Sequence, residues 1–204
     1  MKKKNKVWIT GFNGMVGQAL NRNLMQNSNY NVLKTTKKIL DQTNQNKTQK
    51  WISQNKPDVI IITSALVGGI QINSKIPADF LYENAIMSLN IIKAAHESNC
   101  RKIIFLGASC MYPKYAKQPF EENQILNGMV EETNEGYAIS KILGIKYIQL
   151  LNKQHGCSHI GIIPTASYGP NDCYDENKNH VIPALIKKIH NAKMKKKNSI
   201  TLWG

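Results

Sequence analysis

The strongest constraint on the fold is a glycine-spaced run near the start of the chain, Gly11-Phe12-Asn13-Gly14-Met15-Val16-Gly17. It follows the β-rich segment Val7-Trp8-Ile9-Thr10 and opens a helical stretch over residues 15 to about 27. Glycines at this spacing permit a tight turn and let backbone approach a pyrophosphate, which then sits at the positive end of the helix dipole. Such a turn alone can be merely structural. Set between an N-terminal strand and an amphipathic helix, it favours dinucleotide binding.

The rest of the chain continues the alternation. Asn31-Val32-Leu33-Lys34 reads as a second strand, and the segment around Trp51-Ile52 as a second helix stopped near Pro57. Asp58-Val59-Ile60-Ile61-Ile62-Thr63 is apolar enough for a buried central strand. Pro77 opens a long helical stripe to about Ser98 that includes Phe80, Leu81, Ile86, Leu89, Ile91, Ile92 and Ala95. Lys102-Ile103-Ile104-Phe105-Leu106-Gly107 supplies a fourth strand, followed by a polar loop to about Glu135 and a helix from Tyr137 to about Gln154. His159-Ile160-Gly161-Ile162-Ile163 reads as a fifth strand and Val181 to about Ala192 as another helix. Strands alternating with helices predict an α/β fold with a doubly wound parallel sheet. The β-like run Ile200-Thr201-Leu202-Trp203 comes just before the last residue, Gly204, so a fragment or truncated product is expected.

Composition narrows the function classes. A chain of 204 residues with 42% hydrophobic content suits one substantial core. No apolar run approaches the roughly 20 residues of a membrane span, and the opening Met1-Lys2-Lys3-Lys4-Asn5 lacks a signal-peptide core, so a cytoplasmic protein without a membrane partner is expected. The formal charge of +14 raises nucleic-acid binding as an alternative. Arginine, however, occurs only at Arg22 and Arg101, and the lysines are scattered, which reads as solvated faces. Cys100, Cys110, Cys157 and Cys173 lack C-x-x-C spacing; neither a disulfide scaffold nor a metal site is expected.

Two features sharpen the chemistry. At the end of the second strand, where an acidic residue would bond the ribose of NAD, stand Lys34, Thr35, Thr36, Lys37 and Lys38. Positive charge there suits the extra phosphate of NADP, although a general lysine bias explains it as well. Tyr137 and Lys141 lie four residues apart on a helix, so they share a face. A neighbouring ammonium favours a phenolate, and a lowered tyrosine pKa is expected.

Several longer strings carry a specific resemblance: Val67-Gly68-Gly69-Ile70, Pro77-Ala78-Asp79-Phe80, Cys110-Met111-Tyr112-Pro113-Lys114, Ala116-Lys117-Gln118-Pro119, Asn134-Glu135-Gly136-Tyr137-Ala138-Ile139-Ser140-Lys141 and Asn179-His180-Val181-Ile182-Pro183-Ala184-Leu185. With them the chain resembles the GDP-L-fucose synthases, extended short-chain dehydrogenases that use NADPH on a GDP-linked keto sugar. The resemblance runs from about Val7 to Gly204. It implies a Rossmann-like NADP-binding domain over 1–178, the start of a substrate-binding region over 179–204 with most of that domain missing, and a homodimer. It further implies Tyr137 as proton donor, Lys141 as ribose-binding and tuning group, and Cys110 with His180 as acid/base pair. Leu106, Gly107 and Ala108 after the fourth strand, and Pro164, Thr165, Ala166 and Ser167 after the fifth, are implied cofactor contacts. His180, Lys188 and Trp203 are implied on the substrate side.

The chain departs from that pattern at four places. Ala108 stands where the family has a serine that bonds the sugar C4 oxygen, leaving Ser109 as a substitute one residue later. Asn13 replaces an arginine, Ala166 an asparagine and Leu66 a lysine. Two expectations follow: an NADPH-dependent epimerase-reductase, or a weakened remnant that binds a dinucleotide or a partner without turnover.

Overall fold

The computed structural model describes residues 4–175 and 179–202. Five parallel strands form one sheet in the order β2-β1-β3-β4-β5: β1 is Asn5–Thr10, β2 Tyr30–Lys34, β3 Val59–Ile62, β4 Lys102–Leu106 and β5 Ile160–Ile162. Between them run α1 (Met15–Met25), α2 (Gln45–Asn55), α3 (Ile70–Lys75), α4 (Pro77–Glu97) and α5 (Glu135–His155), with α6 (Val181–Met194) after β5. The chain moves outward from β1 to β2, then crosses back to place β3 on the other side of β1. That reversal opens a crevice beyond the carboxyl ends of the strands, the usual ligand position in such sheets.

Side chains alternate between faces with period two, and the layers follow from it. Trp8, Ile60, Ile62, Ile103 and Phe105 point to one face, where they pack with Ile52 of α2, Ile91 and Ile92 of α4, and Ile145 and Ile148 of α5. Val7, Ile9 and Ile61 point to the other and meet Leu20 and Leu24 of α1. Trp8 is fully buried, packs its ring 4.4 Å from that of Trp51, and donates its indole N–H to Thr35 Oγ1 at 3.0 Å. Truncating a tryptophan so placed costs on the order of 3–5 kcal/mol.

The five expected strands are all present, with shifted ends. β5 is shorter than the sequence indicates, and His159 and Ile163 fall outside it. α2 starts well before Trp51 because the Asn44 side chain accepts a bond from the Lys47 backbone N–H at 2.9 Å, an N-cap. Helix α3 was not anticipated; it is a single short segment after Gly69 with too few turns to show a stripe. The polar loop beyond β4 contains three 3-10 turns, at Ser109–Met111, Glu122–Gln124 and Glu132–Asn134. Residues 200–202 form no strand, because no neighbouring strand pairs with them; Trp203 lies outside the described residues.

Candidate active site

The crevice at the carboxyl edge of the sheet has a volume of about 780 Å³, within the ~300–1,000 Å³ typical of small-molecule sites. The glycine turn forms one wall. Gly11 has φ of +62°, and a Cβ there would come within 2.7 Å of the Ser64 backbone, so only glycine fits. A Cβ on Gly17 would strike the Gly11 carbonyl oxygen, so glycine also lets α1 start tight against β1. Gly14 is the N-cap of α1, and no side chain caps it, which leaves the first backbone N–H groups facing an anion position.

The floor is fixed by polar clamps on the segment after β3. Thr10 Oγ1 lies 2.8 Å from Ser64 Oγ and accepts from the Thr63 backbone N–H at 3.1 Å, while Thr63 Oγ1 donates to the Thr10 carbonyl. Asn84 of α4 imitates a backbone strand: its Oδ1 accepts from Leu66 N–H at 2.7 Å and its Nδ2 donates to Leu66 O at 3.0 Å. Asn73 of α3 donates to Gly68 O at 2.9 Å and to Asn134 Oδ1 at 2.8 Å, linking this segment to the start of α5.

Helix α5 carries the reactive pair. Its first turn packs directly on α4, since a Cβ on Gly136 would meet the Pro77 carbonyl oxygen. Tyr137 and Lys141 both line the crevice. Lys141 is only 3% exposed; its ammonium donates to Leu106 O at 2.8 Å and lies 5.0 Å from the Phe105 ring centroid and 5.6 Å from that of Tyr137. Burial lowers its pKa from 10.5 to about 8, with Cys110 drawing it back upward. Burial first, and Cys110 second, push the Tyr137 phenol above its ordinary value. This corrects the expected lowering: the ammonium is committed to a carbonyl, and desolvation dominates the phenol. Burial likewise pushes the Cys110 thiol up to about 11, partly offset by its own backbone and by Lys141.

The crevice wall also includes Leu106, Gly107, Ala108 and Ser109 after β4, and Pro164, Thr165, Ala166 and Ser167 after β5. Phe12, Asn13, Met15 and Val16 join the glycines there. Ser109 is exposed and begins a 3-10 turn. Cys110 is half-buried and not part of the wall, yet near enough to Tyr137 and Lys141 to perturb both. His180 is exposed at the N-cap of α6 and is not part of the wall. Lys188, farther along α6, donates its ammonium to Thr201 O at 3.1 Å and is not part of the wall either.

Residues not singled out from the sequence line the crevice too, among them Asp41, Thr43, Glu83, Met87 and Asn171 to Cys173. Some follow the ends of strands, where ligands gather in a doubly wound sheet, so strand ends were the signal that locates them.

Fold and crevice together define a Rossmann-type dinucleotide-binding domain with a Tyr-x-x-x-Lys pair, the arrangement of a short-chain dehydrogenase/reductase. The chain belongs to the NAD dependent epimerase/dehydratase family, matched over residues 7–204. It is 45% identical to the GDP-L-fucose synthase of Sinorhizobium fredii over 98% of its own length and 63% of that protein's. With the GDP-L-fucose synthase of Escherichia coli it shares 40% identity over 98% of this chain and 63% of that one. Among solved structures it superposes on MlghC, a GDP-mannoheptose C4 reductase from Campylobacter jejuni with NADP bound, at TM-score 0.87 and 30% identity, covering 98% of this chain and 62% of that one. It thus spans a little under two thirds of the length of these relatives.

Proposed function

We propose that this chain forms the cofactor-binding and catalytic part of an NADPH-dependent enzyme that epimerises GDP-4-keto-6-deoxy-D-mannose at C3 and C5 and reduces it at C4, yielding GDP-L-fucose. The observation that carries this reading is the presence of Tyr137 and Lys141 on the wall of the crevice that the glycine turn opens. The names of its relatives point to GDP-sugars and, for MlghC, to C4 reduction with NADP.

The residues present fit NADP(H). Its pyrophosphate suits the uncapped start of α1, where no side chain competes for the N–H groups. Lys37 lines the crevice and Lys34 lies 4.8 Å over the Phe12 ring, so positive charge stands where a 2′-phosphate would reach. The Asp41 carboxylate, also on the crevice wall, accepts from Thr43 N–H at 3.1 Å and Thr43 Oγ1 at 2.7 Å, bonds that hold it below the usual carboxylate range.

When bound, NADPH supplies the reducing equivalent for C4. Tyr137 gives its proton to the C4 oxygen from the phenol form that burial favours. Lys141, fixed on Leu106 O, retains further N–H donors for the cofactor ribose. Before reduction, the C4 ketone acidifies the protons on both adjacent carbons, and Cys110 with His180 is assigned as the acid/base pair. Burial holds Cys110 as a thiol, ready to return a proton. His180 stands outside the crevice wall, so the sugar must project toward α6. Ser109 is assigned to the C4 oxygen in place of Ala108, and Lys188 and Trp203 to the substrate.

Residues 1–178 are assigned to the cofactor domain and 179–204 to the beginning of the substrate region. A cytoplasmic homodimer completes the proposal; Leu81 and Tyr82 on α4 and Leu143 and Leu150 on α5 are exposed apolar residues available to it. Among the described residues no helix is long and apolar enough to cross a membrane.

Ala108 favours a second reading, a dinucleotide-binding remnant without turnover, because losing one donor to a developing oxyanion costs on the order of 100-fold or more. NADPH binding by fluorescence and cofactor oxidation with the keto sugar separate the two. The first reading expects turnover that Tyr137→Phe lowers by about 100-fold or more while binding persists. Binding with no turnover, in both the native chain and Ala108→Ser, leaves the second reading standing. Absence of NADPH binding refutes both.

A further inference from the structure

At the amino-terminal edge of the sheet, opposite the crevice, a second cluster of side chains takes no part in the proposed chemistry. His96 lies in the last turn of α4, His155 ends α5, and Cys157 and His159 occupy the lead-in to β5. The sequence there alternates, His155-Gly156-Cys157-Ser158-His159. Cys157 Sγ is 4.0 Å from His96 Nδ1, and the donor atoms of His96, Cys157 and His159 all lie within 4.8 Å of one another. The His155 ring is tilted against that of His96 with centroids 4.5 Å apart.

His159 shows which role it plays. It is 6% exposed, and its Nδ1 accepts from the Ile103 backbone N–H at 3.2 Å. An amide can only donate, so Nδ1 presents its lone pair and the neutral ring carries its proton on Nε2. That Nε2 is buried and has no hydrogen-bond partner. An unpaired buried donor is destabilising and calls for an acceptor. A cysteine thiolate on the neighbouring segment would be one.

We propose that Cys157 Sγ and His96 Nδ1, with solvent completing the shell, bind a borderline divalent transition metal ion, Zn²⁺ fitting best, and that His159 donates its Nε2–H to the metal-bound sulfur. Thiolate and imidazole donors select zinc or cobalt over magnesium and calcium, which prefer oxygen. Zinc bonds of about 2.3 Å to sulfur and about 2.0 Å to nitrogen place the two donors about 3.5 Å apart at a tetrahedral angle. The observed 4.0 Å therefore needs only a small contraction. Binding releases the Cys157 thiol proton to solvent, and the ion joins the end of α4 to the segment before β5. His159 then acts as a positioning residue, fixing the sulfur from behind. Lys102, whose ammonium bonds the Ser158 carbonyl, adds positive charge beside this lead-in.

Titrating the chain with Co²⁺, then displacing it with Zn²⁺, tests the site without recourse to activity. One equivalent of cobalt is expected to give a thiolate-to-metal charge-transfer band that zinc abolishes, and zinc is expected to raise the unfolding midpoint. Cys157→Ser should remove the band, His96→Gln should weaken binding about tenfold or more, and His159→Phe should weaken it about tenfold while leaving the band in place. Cys173→Ser, at an exposed site near the crevice, should change nothing. No band in the native chain, a band that survives Cys157→Ser, or affinity indifferent to His96→Gln overturns the proposal.

Discussion

Lys141→Met tests the electrostatics of the crevice through stability alone. The native lysine is buried and its pKa falls from 10.5 to about 8, which corresponds to about 3 kcal/mol against the charged folded form at neutral pH. The sign follows from proton counts. Between pH 8 and 10.5 the unfolded chain holds a proton on this residue that the folded chain has lost, so the lysine makes stability rise with pH through that window. From pH 7 to 9 the gain is a little over about 1 kcal/mol. Methionine keeps most of the stem volume and removes the charge, at the cost of the bond to Leu106 O, worth about 1.5–3 kcal/mol for a charged donor. The variant is therefore expected to match the native chain or exceed it by about 1 kcal/mol at pH 7, and to lose the upward slope. Cys100 and Cys110, both raised to about 11 by burial, act oppositely: their stabilising effect is complete below the unfolded thiol pKa of 9.0 and is lost as pH rises toward 11. Urea unfolding of both proteins at pH 7 and pH 9 compares the slopes: Cys100 contributes equally to each, and Cys110, which loses the lowering influence of Lys141 in the variant, keeps the same sign of pH dependence in both. Identical pH dependence in the two proteins would show that the ammonium is well solvated and the argument mistaken.

Gly17→Ala places a methyl group against the Gly11 carbonyl, so NADPH affinity is expected to fall by about tenfold or more; unchanged affinity in a fluorescence titration would remove the turn from the proposed pyrophosphate site. Asn84→Ala breaks bonds to Leu66 N–H, Leu66 O and Phe80 O in a buried place, and should cost about 3 kcal/mol in urea unfolding. A loss under about 1 kcal/mol would mean that water takes over the Leu66 groups.

The fold was legible because its signals are local. The β-rich run Val7 to Thr10 and the apolar run Val59 to Ile62 identify their strands without tertiary information. Strand ends and α3 were not, since pairing partners set the first and a Gly68 and Asn134 contact to Asn73 secures the second. Tyr137 and Lys141 could be placed on one helical face, but the Leu106 carbonyl that captures the ammonium lies 35 residues away in sequence, so the direction of the phenol's pKa was out of reach. His96 is equally remote from Cys157, 61 residues off, which is why the alternation from His155 to His159 carried no chemistry until the helix ends were brought together.

These contacts share a physical logic. The Cys110, Tyr137 and Lys141 side chains are held in forms burial dictates, a thiol, a phenol and a weakened ammonium, which opposes the ordinary preference for solvated charge. Such a group stays in place only if the backbone around it cannot relax toward water. Here that restraint comes from α4 and α5: Gly136 packs on Pro77, Gly144 on the Phe105 ring, and Asn73 bonds Asn134 at the helix start. Loosening the helix pair would let water reach Lys141 and bring its pKa back toward 10.5, while the phenol returned toward 10. The close packing of α5 and the raised pKa of the Tyr137 phenol are thus linked through burial.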